Sequence, residues 1–294
     1  MTGTSSASLS KIVNVSSIPQ RSPFRYPGGK TWLIPLVRKW LGLLPSRPAT
    51  LIEPFAGGAV VGLTVAFENL ASKVVLVELD PDVASVWETI LNGKSSQLAE
   101  RIVKFEFNAK TVDSVLASDP VSALDQAFQT ILRNRVQHGG IMAPGASLMK
   151  EGENGKGLSS RWYPTTLARR ITAIREVRDR IEFLEGDGLT FLAKNKVRKN
   201  SVFFVDPPYT VTGRRLYRHS VLDHAKLFRM LAETNGDFLM TYDKSPEIEE
   251  LVRANNFDYE NVSMKGRLNL RKTELLIGRD LAWSRSVEGS LLFS

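Results

Sequence analysis

Residues 51–59 read Leu51-Ile52-Glu53-Pro54-Phe55-Ala56-Gly57-Gly58-Ala59, and an apolar stretch from Val60 to Phe67 follows them. This order predicts a short buried strand, a glycine-rich turn and a helix. Glycines in such a turn let the backbone approach a ligand closely, and the helix start offers free N–H groups, as in nucleotide-binding α/β folds. The full G-x-G-x-x-G spacing is missing, so the segment alone is a weak indication of a nucleotide site.

A second predicted strand, Val74-Val75-Leu76-Val77-Glu78-Leu79-Asp80, begins soon after this helix. Its acidic end stands about 20 residues after the glycines, a distance at which a carboxylate can bind the two hydroxyls of a ribose. We assign this role to Glu78. Asp80 and Asp82 equally fit a turn or a helix cap, which is the commoner role of Asp before a helix.

A third apolar run, Ile181 to Leu184, leads to Glu185-Gly186-Asp187-Gly188 and a predicted helix through Leu192. Asp187 is expected to cap this helix. In a cofactor crevice the same side chain would face an adenine amino group.

Further strand candidates begin at Ser201 and Phe238, and helical stretches separate the candidates along the chain. This alternation predicts an α/β fold with a mostly parallel sheet and crossover helices. A last pair of strands, near Phe257 to Met264 and Thr273 to Leu281, is expected to be joined by the basic loop Lys265 to Lys272.

The apolar run Ser201 to Val205 is followed directly by Asp206-Pro207-Pro208-Tyr209. These residues suit the methylation of an exocyclic amino group, whose lone pair is delocalised into its aromatic ring. Asp206 and the carbonyl of Pro207 would accept the two N–H bonds, Pro207 and Pro208 would fix the turn, and Tyr209 would stack on the base. The carboxylate would also stabilise the positive charge that builds on the nitrogen. The alternative is an ordinary strand followed by a turn.

Near the start, the segment from Phe24 to Thr31 ends in Gly29-Lys30-Thr31, which is also how a phosphate-binding loop ends. That loop requires a glycine five residues before Gly29, where Phe24 stands, and a preceding strand, where residues 15–23 are polar. The segment therefore does not support an NTPase.

In this order the motifs resemble those of the Dam-type, D12-class N6-adenine DNA methyltransferases of the alpha group. In that family a Tyr/Trp-x-Gly-Gly-Lys element, here Tyr26 to Lys30, precedes the glycine-rich cofactor loop, here Glu53 to Gly58. An inserted target-recognition region follows, and Asp-Pro-Pro-Tyr comes last. The resemblance spans Phe24 to about Trp283. It includes Phe238 to Asp243 as the fifth strand and Arg271 to Leu276 as the closing motif.

The resemblance implies a Rossmann-like methyltransferase fold, with a mostly parallel seven-stranded sheet and a helical target-recognition insert, and S-adenosylmethionine as the methyl donor. Two departures are Glu78, where many relatives have Asp, and Gly57-Gly58-Ala59 in place of Gly-x-Gly, which changes the backbone amides that face the donor. The residues assigned to cofactor binding are Tyr26, Lys30, Phe55, Gly57, Gly58, Glu78, Asp187 and Asp206.

The interval of about ninety residues between the second and third strands is too long for an ordinary crossover. We predict that residues 92–180 form the helical target-recognition insert. The catalytic domain would comprise residues 23–91 and 181–283, with flexible tails at 1–22 and 284–294. Val121 to Val136 is predicted to form one helix, and a second is indicated by the apolar spacing of Leu167, Ile171, Ile174, Val177 and Ile181.

The second predicted helix is rich in arginine, which fits either a solvated face with ion pairs to Glu176 or Glu182 or a set of phosphate contacts. A loop from Pro144 to Arg161 is rich in Gly, Ser and Lys and is expected to become ordered when DNA binds. Arg214 and Arg215 either hold the distorted strand or belong to an exposed basic loop. The residues assigned to DNA binding are Asn134, Arg135, Arg169, Arg170, Arg214 and Arg215.

The composition agrees with a DNA-acting enzyme. The 294 residues carry a formal net charge of +8, which suits a polyanionic partner, and include no cysteine. A cytosine-C5 methyltransferase needs a thiolate nucleophile, so that activity is excluded. Three scattered histidines show no metal-ligand spacing, and no apolar run is long enough to span a membrane. We expect a cytoplasmic protein that needs no metal.

We therefore predict a site-specific methyltransferase that acts on N6 of an adenine rotated out of double-stranded DNA, a rotation that costs a few kcal/mol. A cognate restriction endonuclease is a possible partner. Cytosine-N4 methylation, RNA adenine methylation and a catalytically silent DNA-binding protein remain the alternatives.

Overall fold

A computed structural model of the chain describes residues 17–25, 29–142, 146–149, 155–209, 222–265 and 271–285. Their strands are β1 (Thr50–Glu53), β2 (Lys73–Glu78), β3 (Ile181–Glu185), β4 (Ser201–Val205), β5 (Phe238–Asp243), β6 (Asp258–Lys265) and β7 (Arg271–Gly278). Together they form one seven-stranded sheet in the order β3-β2-β1-β4-β5-β7-β6.

The first five strands run parallel, and β7 is antiparallel to both of its neighbours, β5 and β6. Every residue of β1 and β4 is buried, as expected for central strands of a parallel sheet that is covered on both faces. The predicted mostly parallel seven-stranded sheet is therefore confirmed. The loop expected between β6 and β7 lies largely outside the described residues.

Helices cover both faces of the sheet. One face carries α1 (Ile34–Gly42), α2 (Val60–Phe67) and α3 (Pro81–Thr89), whose apolar residues share a cluster with alternate residues of the central strands. The other face carries α8 (Gly188–Asn195), α9 (His224–Ala232) and α10 (Pro246–Ala254), which pack on the intervening strand residues. We call these the α1 face and the α8 face.

Local sequence explains where these helices begin. The helix α2 has the predicted bounds, and Ala59, in the left-handed region at φ 47°, directs the chain from the glycine turn into it. Asp80 caps α3 by accepting the N–H of Asp82, and Asp187 caps α8 by accepting the N–H of Thr190. Both capping roles were predicted.

The interval between β2 and β3 also contains α4 (Ser95–Lys104), α5 (Ala109–Ala117), α6 (Ala123–Val136) and α7 (Pro164–Ala173). The described part of residues 92–180 is thus largely helical. Buried residues of these helices, such as Phe128 and Leu167, belong to the same cluster as the α1 face. A separate target-recognition domain with these bounds stays a prediction.

The prediction of one helix through Ile181 was wrong. The α-helix α7 ends at Ala173, short 3₁₀ turns follow at Ile174–Glu176 and Arg178–Arg180, and Ile181 begins β3. A 3₁₀ turn has three residues per turn, so the apolar spacing continues although the α-helix has ended.

The arginines of this region consequently do not share one helix. Arg169 and Arg170 lie on α7, whereas Arg175 donates to Ser96 and Arg180 donates to the carbonyl of Ala66. The predicted ion pairs to Glu176 or Glu182 are not seen among the described contacts, where Arg178 instead meets Asp179 at 3.4 Å.

Residues 1–22 and 284–294 were predicted to be flexible tails, but the described parts of both segments pack against the rest of the protein. Ile18 is buried in the main cluster, and Ser22 is buried beside it. At the other end, the short helix α11 (Ala282–Arg285) buries Ser284, and Arg285 forms an ion pair with Asp258. Residues 1–16 and 286–294 lie outside the described part. Among the described helices, none has the length and apolar character needed to cross a membrane.

Gly236 provides a test of the sheet packing. A Cβ atom at this position would lie 1.8 Å from the carbonyl oxygen of Ser201, which is a backbone atom at the start of β4 and cannot move away cheaply. We expect Gly236→Ala to lower the free energy of unfolding by about 1–3 kcal/mol.

The matched control is Gly42→Ala at the end of α1, where nothing lies within 4 Å of the added Cβ. Urea unfolding should show this variant to be as stable as the parent or slightly more stable. Equal stability of the two alanine variants would contradict the close approach of Gly236 to β4.

Candidate active site

Acidic side chains collect at the carboxyl ends of neighbouring parallel strands. Glu53 ends β1, Glu78 ends β2 and Asp206 follows β4. Side chains alternate between the faces of a sheet, so a residue two positions after a buried one points to the same side. The three acids stand two residues after Leu51, Leu76 and Phe204, which all pack on the α1 face. They therefore converge on one side of one edge of the sheet.

A cavity of about 490 Å³ lies at this edge. Its wall combines the three acids with the glycine turn after β1 and with Lys30 from the segment before α1. The predicted cofactor residues Lys30, Phe55, Gly57, Gly58, Glu78 and Asp206 all line it. Asp187 is not among the lining residues, and Tyr26 lies outside the described part of the chain.

The glycine turn is held against the end of β2. Gly57 adopts the left-handed region at φ 47°, and its N–H donates to Glu78 Oε2 at 2.7 Å. The N–H of Asp80 donates to the other oxygen of Glu78 at 2.9 Å, and the indole of Trp87 donates to the Gly57 carbonyl. Burial raises the pKa of Glu78 to about 7, although the two backbone donors oppose this shift.

Glu53 lines the cavity, although it is not among the predicted cofactor residues. Its Oε2 accepts the N–H of Gly62 at 2.9 Å, and a Cβ on Gly62 would lie only 2.6 Å from that oxygen. Burial raises the pKa of Glu53 well above its ordinary value, and the nearby acids Asp206 and Glu78 add to this shift. Its position in the sequence could have indicated this role, because Glu53 ends an apolar strand as Glu78 does.

Asp206 is held by three donors. Its Oδ1 accepts the hydroxyls of Thr241 at 2.8 Å and of Tyr209 at 3.2 Å, and its Oδ2 lies 3.0 Å from the ammonium of Lys30. A carboxylate has about four acceptor positions, two on each oxygen. The contacts described here use three of them, so one position on Oδ2 is left for an N–H group of a substrate.

Tyr209 is 9% exposed, and its ring stacks on Tyr242 of β5 with centroids 5.7 Å apart. The hydroxyl of Tyr242 in turn lies 2.7 Å from Nδ1 of His224. The ammonium of Lys30 lies over the Tyr209 ring, 5.3 Å from its centroid. The ring is thus fixed beside Asp206, and its predicted stacking on a base stays a prediction.

Asn134 and Arg135, which were assigned to DNA binding, are both buried near the end of α6. Asn134 is 0% exposed. Its amide oxygen accepts the N–H of Arg25, and its amide nitrogen donates to the carbonyls of Arg25 and Gly140. The structure thus gives Asn134 a structural role, and in this arrangement it has no access to a base edge. Arg135 donates to the carbonyl of Pro23, and it also lines the cavity.

The other basic residues differ in their surroundings. Arg169 is exposed on α7, whereas Arg170 lines the cavity and donates to the carbonyl of Ser22 at 3.3 Å. Arg214 and Arg215 lie outside the described residues. Within the described part, no three His, Cys, Asp or Glu side chains are grouped so that they could hold a metal ion.

Comparison with known families identifies the class. A family model described as the D12 class N6 adenine-specific DNA methyltransferases matches residues 26–265, which is most of the chain. The chain belongs to this family. The Asp-Pro-Pro-Tyr segment, the glycine turn and Lys30 all fall within the matched region.

A curated relative and several solved structures are also similar. The Type II methyltransferase M.CviBI of Paramecium bursaria Chlorella virus NC1A is 30% identical over 120 residues, which cover 40% of this chain and 44% of that protein. The match therefore spans less than half of the length of that relative.

Among solved structures, the rRNA methyltransferase aviRa of Streptomyces viridochromogenes is 14% identical with a TM-score of 0.43, and covers 91% of this chain and 92% of its own. The tRNA methyltransferase TrmK of B. subtilis is 8% identical with a TM-score of 0.36, and covers 86% of this chain and 67% of its own. Likenesses at this level carry no argument about substrate.

The raised pKa of Glu78 makes stability depend on pH. The folded protein keeps this proton to about pH 7, whereas an unfolded glutamate releases it near its ordinary pKa of 4.5. Stability should therefore fall as the pH rises through this range. Glu78→Gln removes the titration, so its loss of stability between pH 5 and 7.5 should be smaller than that of the parent, by up to about 3 kcal/mol.

Urea unfolding of both proteins at the two pH values measures this difference. Equal losses in parent and variant would show that Glu78 titrates near its ordinary value.

Proposed function

We propose that this protein transfers a methyl group from S-adenosylmethionine to N6 of an adenine in DNA, at a specific site. One observation carries the proposal: Asp206 of the Asp-Pro-Pro-Tyr segment has an acceptor position left, at the edge of a cavity formed by strand ends and a glycine turn. Membership of the D12 class supports adenine as the base and DNA as the substrate.

The cavity fits the proposed methyl donor. A volume of about 490 Å³ lies within the range of small-molecule sites. Glu78, at the end of β2, is placed to accept the ribose hydroxyls, and the backbone of Gly57 and Gly58 allows close approach. When bound, the donor supplies an electrophilic methyl group on a sulfonium.

The buried acids of the cavity offer fixed hydrogen-bonding oxygens to a ligand. Glu53 and Glu78 each hold a backbone N–H, which keeps their oxygens fixed at the cavity wall. Asp187 caps α8 through its Oδ1, and we propose that its other oxygen receives the adenine amino group of the donor.

Asp206 prepares the target nitrogen for methyl transfer. Its carboxylate and the Pro207 carbonyl accept the two N6–H bonds and so localise the lone pair on nitrogen. As the new C–N bond forms and the C–S bond breaks, N6 becomes positively charged, and the adjacent carboxylate stabilises this charge. The proton then leaves N6 for solvent, which restores a neutral amine.

The adenine reaches Asp206 only after it has rotated out of the duplex. The net charge of +8 favours binding to the phosphate backbone. We propose that Arg169, Arg170 and Arg135 hold the strand beside the cavity, and that Arg214 and Arg215 act near the flipped base. A cognate restriction endonuclease is a proposed partner, supported by the Type II name of the viral relative.

Asp206→Ala tests the chemistry. We expect at least a 100-fold loss of methyl incorporation, on the order of the effect of removing one preorganised charge-stabilising group. DNA binding should remain, because Asp206 contacts the base and not the phosphates. Incorporation from labelled donor, followed by nucleoside analysis, gives both the rate and the methylated base.

The matched control is Asp119→Ala, which removes an exposed acid outside the cavity and should leave the rate unchanged. Activity of Asp206→Ala within about tenfold of the parent would remove Asp206 from its polarising role. Recovery of N4-methylcytosine, or methylation of RNA alone, would replace the proposed substrate.

Variants of Arg169 and Arg170 test whether these side chains hold the DNA by its phosphates. Replacing both by alanine should weaken binding to all DNA sequences alike and reduce the salt slope by about 0.9 for each lost phosphate contact. Changes within residues 147–156 should instead alter the preferred site. Contacts to base edges determine which sequence is recognised, whereas contacts to phosphates only position the protein on the DNA.

The control is Arg253→Ala, an exposed arginine of α10 on the opposite face of the sheet. It should leave the salt slope unchanged. If the arginine pair alters site preference and the loop changes do not, the two roles are reversed.

A further inference from the structure

Glu274 is a buried acid that the reaction described above does not use. It lies in the middle of β7 between Thr273 and Leu275 and is 0% exposed. Its cross-strand partner in β5 is Asp243, which is also buried. A carboxylate removed from water in this way is costly unless it meets a positive charge.

One positive charge near Glu274 is that of Lys30. Glu274 Oε2 lies 3.7 Å from the Lys30 ammonium, and the same ammonium lies 3.0 Å from Asp206 Oδ2. Burial lowers the pKa of Lys30, but attraction by Asp206 and then by Glu274 outweighs this effect and raises the pKa above its ordinary value. Lys30 is therefore a cation held between two acids.

This position of Lys30 creates an electrostatic problem for the proposed chemistry. Asp206 serves the reaction by stabilising a positive charge on N6, but a cation 3.0 Å from its carboxylate cancels much of that field. Asp206 and Lys30 together carry no net charge. Counted by themselves, Asp206, Lys30 and Glu274 carry a net charge of −1, so Glu274 offsets the effect of Lys30 on the field that Asp206 exerts at the nitrogen.

We propose that Glu274 is a positioning residue that holds the Lys30 ammonium and offsets its charge, so that Asp206 can stabilise the cation formed at N6. The inference rests on the proposed methyl transfer and deepens it. Lys30 orients the Asp206 carboxylate, and Glu274 offsets the charge that Lys30 brings to it.

Glu274→Gln tests the charge at nearly constant volume. In single-turnover reactions with saturating donor and DNA, we expect the rate of methyl transfer to fall about 10- to 100-fold, a change typical of a lost electrostatic contribution. Donor and DNA affinities should change much less than the rate. Glu274→Asp keeps the charge and should be faster than Glu274→Gln.

The double variant Lys30→Met/Glu274→Gln separates the charge offset from a purely structural role. If Glu274 only stabilises the fold, the double variant should be no faster than Glu274→Gln. Removing both charges again leaves Asp206 with a net charge of −1, so the double variant should transfer methyl faster than Glu274→Gln at saturating donor. If the double variant is as slow as Glu274→Gln or slower, the charge offset is overturned. A rate for Glu274→Gln equal to that of the parent would overturn it as well.

The outcomes separate this inference from the proposed function. A parent protein that leaves adenine in DNA unmethylated contradicts the proposed function itself. A parent that methylates adenine, together with Glu274 variants of unchanged rate, contradicts only the role of Glu274. Thermal unfolding of each variant shows whether it is folded, and Glu274→Asp provides the comparison if the glutamine variant does not fold.

Discussion

The alternation of side chains along parallel strands is the constraint on which the site depends. The strands β1, β2 and β4 are paired in a register that brings their carboxyl ends to one edge of the sheet. Glu53, Glu78 and Asp206 each stand two residues after a strand residue that packs on the α1 face. All three side chains therefore point to that face. A one-residue slip of any of these strands would turn its acid toward α8 and α9 and remove it from the cavity.

Concentrating acids at one edge has an electrostatic cost that the local structure offsets in two ways. Backbone N–H groups hold Glu53 and Glu78: the glycine turn provides one donor through Gly57, and the first turn of α2 provides another through Gly62. Asp206 is instead paired with the Lys30 ammonium and with hydroxyl donors. Only Asp206 therefore combines a strong opposing charge with a position open to an amino group, which separates its role from those of the other two acids.

The helices between β2 and β3 pack on the α1 face through apolar side chains, and buried polar contacts join them to the segment before α1. Asn134 links α6 to the backbone of Arg25, five residues before Lys30. Arg170 of α7 reaches the carbonyl of Ser22 in the same segment. These contacts tie α6 and α7 to residues 22–25, which precede Lys30 in the chain.

The sequence by itself determined the order of the strands along the chain, the capping roles of Asp80 and Asp187, and the places of Glu78, Asp206 and the glycine turn, and the family resemblance added Lys30. It could do so because strand ends, glycine turns and caps depend on neighbouring residues. The tertiary structure alone decided the end of α7, the burial of Asn134, and the contacts of Glu53, Thr241 and Glu274. These depend on pairing between distant segments: an acid in the middle of an apolar strand becomes interpretable only when β7 is placed beside β5 and Lys30 is seen to reach it.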